Sequence, residues 1–308
     1  MSASTSTNTR PIPIPRPSAS VVIVNGRNEV LLVHRNPKAR AFGGVHVFPG
    51  GNLDKKQDAS LPVTAIRETF EESGLLLASS TEQSASYLPS DTELDEARHA
   101  IHQQKMLFQD FLTSHNLEAD VQSLLPFTQW ITPPYAPRRF HTQFYVAFLP
   151  EVAPTGFSSG EKQERIPKPD GGQEVVEARF VHPRKALAEC QQGKITFMPP
   201  QYYILSTLVD ILQGDVNTLE QRSRVETLSR GLFGRMVINP RPLHAGNTEG
   251  YTILTYEGDE TRGGSKGRLH RALVKAEKGG ITSEITLQRN FDVFSEIEPQ
   301  ALKEPSKL

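Results

Sequence analysis

The sequence has one cysteine, Cys190. No internal disulfide can form, and the redox compartment is left open. No stretch approaches the roughly 18 consecutive apolar residues of a membrane-spanning helix, so no membrane partner is expected. Neither sign of charge dominates: 34 Lys and Arg stand against 35 Asp and Glu, for a net charge of −1. That balance gives no general attraction to nucleic acid or to an anionic membrane surface. The nine histidines are scattered, with no HxH or HExxH spacing, so the sequence contains no zinc motif. No acidic residue precedes Glu29, and no apolar core of a secretory signal is present there.

What is present begins with a Ser-, Thr- and Pro-rich segment. Its acid-poor composition resembles a transit peptide, but Pro11, Pro13, Pro15 and Pro17 would break the amphipathic helix such a peptide needs. Residues 1–18 read as a disordered tail. Order is expected from ASVVIVNGRNEVLLVHR: a β-branched run from Ala19 to Val24, an Asn25-Gly26 turn, and a second strand from Glu29 to His34. A short strand over Val45 to Phe48 precedes a PGG turn. Residues 60–73 then read as a helix, with Ser60 as its cap, Pro62 in its first turn and Gly74 ending it. Leu75 to Leu77 read as the start of another strand.

That helix carries RETFEESG, with three glutamates in five positions. Glu68 is three residues from Glu71 and four from Glu72, so a helix brings the three together on one side. Unpaired, they repel by a few tenths of a kcal/mol per pair. A hard divalent cation such as Mg²⁺, which prefers carboxylate oxygens, would reverse that sign. A solvated acidic face is the plainer reading of two adjacent glutamates. The strand, PGG turn, loop and helix around them favour the metal.

The stretch resembles the Nudix hydrolase box, Gx5Ex7REUxEExGU, where U is a bulky aliphatic residue. Gly51, Arg67-Glu68, Glu71-Glu72, Gly74 and Leu75 take their places in it. The gap from Gly51 to Arg67 is two residues longer than the pattern. Gln57 or Asp58 lies nearest the place of the first glutamate, and Thr69 stands at an aliphatic position. These departures fall mainly in the loop half of the box. The resemblance implies Mg²⁺ or Mn²⁺ held by Glu68, Glu71 and Glu72, with Glu68 either a ligand or the general base.

A second stretch, LLVHRNPKARAFGGVHVFPGG, resembles the coenzyme A diphosphatase signature LLTxRSxxxRxxxGxxxFPGG. It implies substrate contacts from Arg35, Arg40, Gly50 and Gly51. Guanidinium groups suit the phosphates of coenzyme A through bidentate, charge-assisted bonds. The reaction implied is hydrolysis of the pyrophosphate of coenzyme A or acyl-coenzyme A to 3′,5′-ADP and (acyl-)4′-phosphopantetheine. Two alternatives stand beside it: a Nudix pyrophosphatase for NADH, ADP-ribose or another nucleoside diphosphate derivative, and a non-catalytic Nudix-fold binding module.

The fold implied is α/β: a Nudix α/β/α sandwich with a mixed sheet over residues 19–212, a helical insertion at 79–126, and a C-terminal β-rich appendage at 213–300. In the insertion, Leu94, Ala97, Ile101, Phe108, Phe111 and Leu112 recur at helical spacing, which reads as packing rather than a lid. Strands are expected over His141 to Leu149 and Gln173 to Val181, and helices from Pro183 and over Gln201 to Leu212. Arg138 and Arg139 are candidates for substrate or surface. Glu174 and Glu177 are candidate accessory acids, and His34 and His46 read as structural or surface residues rather than bases. The tail 301–308 ends in Ser306-Lys307-Leu308, a tripeptide read by the peroxisomal import receptor. It implies that receptor as a partner and the peroxisomal matrix as the location.

Overall fold

The computed structural model describes residues 12–39, 42–81, 89–136, 138–149, 170, 174–243, 250–277 and 280–296. Strand β1 (Arg16–Val24) runs through the middle of a mixed eight-stranded sheet. On one side it pairs in parallel with β8 (Phe140–Phe148) along its whole length. On the other it pairs antiparallel with β4 (Gly50–Asn52) and, at its far end, with β2 (Val30–Arg35). From β2 the sheet continues into β3 (His46–Val47) and β9 (Val175–Val181). Beyond β8 come β7 (Leu125–Ile131) and β10 (Val237–Ile238). The strand therefore begins three residues inside the expected tail. Arg16 to Ser18 are held by the parallel ladder to Phe140, His141 and Thr142. Residues 1–11 lie outside the described residues.

Alternation along β1 explains its continuous apolar run. Val21 and Ile23 pack with Leu31, Val33 and the first helix, whereas Val22 and Val24 pack on the opposite face with Leu32, Phe144 and Tyr203. A strand covered on both faces needs apolar residues at every position. The first face is covered by α1 (Leu61–Ser73), α2 (Asp91–His102) and α3 (Phe108–Ser114). All six apolar residues of the expected stripe in the insertion are buried there. The other face is covered by α4 (Pro183–Gln191), α5 (Pro199–Leu208), α6 (Leu219–Arg230) and α7 (Leu232–Arg235).

Leu75 to Leu77 form no strand. Gly74 ends α1 in the left-handed conformation, at φ 74°, with its N–H on the Phe70 carbonyl. The three leucines that follow are all buried in one cluster, without alternation. Strand β5 (Ala78–Ser80) starts only after them and pairs with β6 (Leu117–Ala119).

The C-terminal β-rich region is a four-stranded antiparallel sheet, β11 (Arg241–Leu243), β12 (Tyr251–Thr255), β13 (His270–Ala276) and β14 (Thr282–Arg289). It is less separate than an appendage. Trp130, Tyr203 and Tyr256 meet edge to face, with centroids 5.3–5.8 Å apart. Leu254, Ala272 and Ile285 belong to the same buried cluster as Val22 and Phe48. The expected division at residue 213 thus cuts through one hydrophobic core.

Candidate active site

Helix α1 is placed by a close approach. A Cβ on Gly50 would stand 2.3 Å from the Ala19 carbonyl oxygen, and one on Gly51 would stand 2.3 Å from the Glu68 carboxyl carbon. Only glycine lets β4 pass between β1 and the helix. The Gly50 N–H donates to Glu72 Oε2 at 3.0 Å. The PGG turn is therefore the floor on which Glu68 and Glu72 rest.

Arg67 is the hub behind them. It is 4% exposed and gives a bidentate pair to Asp58, Nε to Oδ1 at 2.7 Å and Nη2 to Oδ2 at 2.9 Å. It also reaches Glu71 Oε1 at 2.5 Å and Glu68 Oε1 at 2.9 Å. Asp58 is locked in turn by the Thr64 hydroxyl at 3.0 Å and the Asp54 N–H at 2.9 Å. Asp58 thus supplies the acidic partner that the sequence lacks at the glutamate position of the box. Gln57 does other work: its Oε1 accepts from the Phe108 N–H at 2.8 Å and ties the insertion to the loop.

The expectation that all three glutamates turn to one point is corrected by these contacts. One Glu71 oxygen is taken by Arg67, and the other meets His102 Nδ1 at 3.1 Å. Burial works against charge on Glu71, but His102 and Arg67 outweigh it and hold the carboxyl below the usual range. The His102 imidazole is raised to about 9, first by its bond to Glu71. Glu68 and Glu72 behave oppositely. Burial raises Glu68 to about 7, Arg67 opposing and Glu71 adding to the shift. Burial raises Glu72 to about 8 against the pull of Arg35, with Glu68 adding repulsion. Two carboxylates are thus placed together without enough positive charge to hold them ionised.

Arg35 joins this group from β2, with Nη1 3.4 Å from Glu72 and Nη2 3.6 Å from Glu174. Its Nε is buried with no hydrogen-bond partner among the described residues. The two accessory acids separate. A bulge between His34 and Arg35 sends Glu174 toward Arg35, whereas Glu177 pairs in register with His34. Arg35 follows Val33, which packs with α1, while His34 follows Leu32 on the opposite face. Glu177 is therefore corrected: it does not belong to the carboxylate group. Arg139 is structural, with Nε on the Thr132 carbonyl at 2.9 Å and Nη1 on the Pro13 carbonyl at 2.8 Å. Arg40 and the tripeptide Ser306 to Leu308 lie outside the described residues.

The comparisons with known proteins agree with this geometry. Residues 56–208 match the family described as the NUDT19 Nudix domain. The chain belongs to the Nudix hydrolases. It is 29% identical over 203 residues to a Caenorhabditis elegans protein described as putative nudix hydrolase 7, covering 64% of this chain and 62% of that one. It is 24% identical over 241 residues to a Xenopus laevis protein described as acyl-coenzyme A diphosphatase NUDT19, covering 58% and 59%. The chain thus spans about three fifths of the length of these relatives. The crystal structure of a Nudix hydrolase from Alicyclobacillus acidocaldarius superposes with a TM-score of 0.56 at 24% identity, over 71% of this chain and 98% of that one.

The Nudix helix fits the divalent cation that this family generally uses. Its candidate donors are hard carboxylate oxygens on Glu68 and Glu72, which keep lone pairs beside their contacts with Arg67, Arg35 and the Gly50 N–H and suit Mg²⁺-class ions. The glycine turn leaves no side chain between those oxygens and the loop. Sequence reasoning missed His102 and Arg98, which anchor the insertion on Glu71 through its side chain and, at 2.7 Å, its carbonyl. Neither carries a motif, and only the packing of α2 on α1 brings them there.

Proposed function

We propose that this chain hydrolyses the phosphoric anhydride of coenzyme A or acyl-coenzyme A. The observation that carries the reading is the pair Glu68 and Glu72, seated against the glycines of the PGG turn with Arg67 behind one and Arg35 beside the other. Glu68 and Glu72 would hold Mg²⁺ or Mn²⁺, whose chemistry there is to polarise a phosphoryl oxygen and make bound water more acidic. Arg67 fixes Glu68, and Glu71 acts by holding Arg67 in place. Glu68 is also the candidate general base, as a carboxylate placed where the cation would make water more acidic. Arg35, beside Glu72 at the edge of this group, is a candidate to hold a phosphate oxygen, and Arg40 supplies a second cation from the same signature. Water adds to one phosphorus, the bridging P–O bond breaks, and the products are 3′,5′-ADP and 4′-phosphopantetheine or its acyl form.

Support for the coenzyme A class comes from the signature over residues 31–51 and from the described activity of the Xenopus relative. Product analysis after incubating purified protein with coenzyme A and Mg²⁺ tests it. Release of 3′,5′-ADP is expected. Turnover of NADH or ADP-ribose with none of coenzyme A would replace this substrate class by another. Tight ligand binding without any turnover would favour the binding module. Ser306-Lys307-Leu308 is proposed as an address for the peroxisomal matrix, read by the import receptor. Deleting it from a protein tagged at the N-terminus should move the signal to the cytosol, and an unchanged peroxisomal signal would remove the proposal.

A further inference from the structure

The sheet face opposite the carboxylates carries a second cluster. In the strand ladder His34 lies directly across from His46 on β3 and from Glu177 on β9. Directly paired residues project to the same face of a sheet. The three side chains therefore form one row across three adjacent strands, and their candidate ligand atoms all lie within 4.8 Å of one another. The His34 and His46 rings stack at 4.3 Å and 8°. His46 is 6% exposed, and its Nδ1 is buried with no hydrogen-bond partner among the described residues.

An orphaned imidazole nitrogen beside a second histidine is costly unless something accepts its lone pair or proton. Parallel stacking of two imidazoles does neither. The neighbours do not resolve it. Arg179 stands 3.6 Å from Glu177, but its charge is largely taken by Glu189 at 2.6 Å. Burial first, and then His34 and Arg179, hold the His46 imidazole near 4, so it is neutral at pH 7. A neutral imidazole is the form that binds metal.

We propose that His34, His46 and Glu177 form a binding site for a borderline transition-metal cation of the Zn²⁺ class, separate from the Nudix carboxylates. Two imidazoles and one carboxylate select Zn²⁺, Co²⁺ or Ni²⁺ over Mg²⁺, whereas the all-oxygen set of Glu68 and Glu72 suits hard Mg²⁺ and is kept filled by it in excess. Tetrahedral bonds of about 2.0–2.2 Å put ligand atoms roughly 3.4 Å apart, so a tilt of the rings and a swing of Glu177 by about an ångström close the set. His34 is half-buried and Glu177 exposed, which leaves an entry path from solvent. The ion would clamp three strands at the sheet end where β2 also carries Arg35 into the other site.

The test uses untagged full-length protein stripped with a chelator and then held in excess Mg²⁺. Added Co²⁺ should bind as one equivalent with the visible absorption of a tetrahedral centre, and Zn²⁺ should displace it. Losing even an outer-shell partner of a metal site costs about 10–100-fold. His34→Gln and Glu177→Gln should therefore each weaken Co²⁺ binding by at least tenfold. Both positions reach solvent, so these variants avoid the folding risk of replacing buried His46, and circular dichroism checks the fold. Glu72→Gln should leave Co²⁺ binding unchanged. Equal affinity in wild type, His34→Gln and Glu177→Gln would overturn the site. So would loss of binding in Glu72→Gln instead, or no binding tighter than about 1 mM.

Discussion

Two buried clusters of acids and arginines, one on α1 and one in the C-terminal sheet, are built to opposite ends. Asp259 is fully buried and saturated. It receives two bonds from Arg271 at 2.7 Å, the His270 N–H at 2.9 Å, and both the N–H and hydroxyl of Thr261. Burial opposes its charge, but Arg271 and these donors outweigh it and hold the carboxyl below the usual range. Glu72 is buried and Glu68 half-buried, with one guanidinium contact each, and they are pushed up to about 8 and 7. A saturated carboxylate holds the fold together. An unsaturated one is a standing cost, which is the expected signature of a site awaiting a cation.

The sharpest break of this comparison is Glu72→Gln. The amide keeps size and helix propensity but cannot serve as a charged metal ligand. Turnover should fall by about a thousandfold. The melting temperature should hold or rise, because a carboxyl that burial and Glu68 push up to about 8 gives way to an amide that never ionises. A near wild-type rate at saturating Mg²⁺ would show that Glu72 holds no metal.

Asp259→Ala is the matching change in the other cluster. It removes the bidentate partner of largely buried Arg271 and leaves it only Glu260 at 3.2 Å, a loss of about 3 kcal/mol, at the low end for a broken buried pair. Chemical denaturation should show the loss, while kcat of the folded fraction stays near wild type. A large fall in kcat at unchanged stability would mean that the two clusters are coupled.

The α1 half of this contrast is legible in the sequence, and the Asp259 half is not. The RETFEESG spacing placed the site, because helical periodicity is local and Gly74 marks its end. The split between Glu71 and its neighbours was not legible, since it depends on His102 arriving from α2. Asp58 could be narrowed only to a choice with Gln57, as the loop is longer than the Nudix pattern. Glu174 and Glu177 looked alike until the bulge at His34 separated them. Helix α6 carries a local signal of its own start: Thr218 and Gln221 form a capping box, as do Ser90 and Glu93 on α2. The shared core of the two sheets had no sequence signal, because edge-to-face packing of Trp130, Tyr203 and Tyr256 joins residues far apart in the chain.

Acid should sharpen the comparison further. His270 is buried and neutral, with Nδ1 donating to the Glu257 carbonyl and Nε2 facing the Tyr203 hydroxyl at 2.9 Å. Burial first, with Arg289 and Arg268 against the Glu257 carbonyl and Asp259, holds it near 3 rather than 6.5. The unfolded chain therefore binds this proton first. Stability from His270 is present above about 6.5 and is lost as pH falls from there toward 3. From pH 6.5 to 5 the loss is about 2 kcal/mol. His270→Gln should be less stable at pH 7 but lack this share of the acid slope. Identical slopes in the two proteins would show that His270 is not buried neutral.

The smallest effect separates a ligand from a support within the acidic helix itself. Glu71 spends both oxygens on Arg67 and His102, so it acts on the reaction by fixing Arg67, which in turn holds Glu68. In Glu71→Gln the amide oxygen can still accept from Arg67, and Asp58 keeps its bidentate grip on the same guanidinium. Turnover should then fall by only about tenfold, the size of one weakened charge-assisted bond. The Mg²⁺ concentration giving half-maximal rate should stay where it was, because no direct ligand has been lost. Glu71→Asp, which retains the charge on a shorter arm, should recover part of the rate. If Glu71 instead touched the cation directly, Glu71→Gln would shift the Mg²⁺ dependence and approach the loss seen in Glu72→Gln. Measuring rate against Mg²⁺ for the two glutamine variants side by side decides between a ligand and a support.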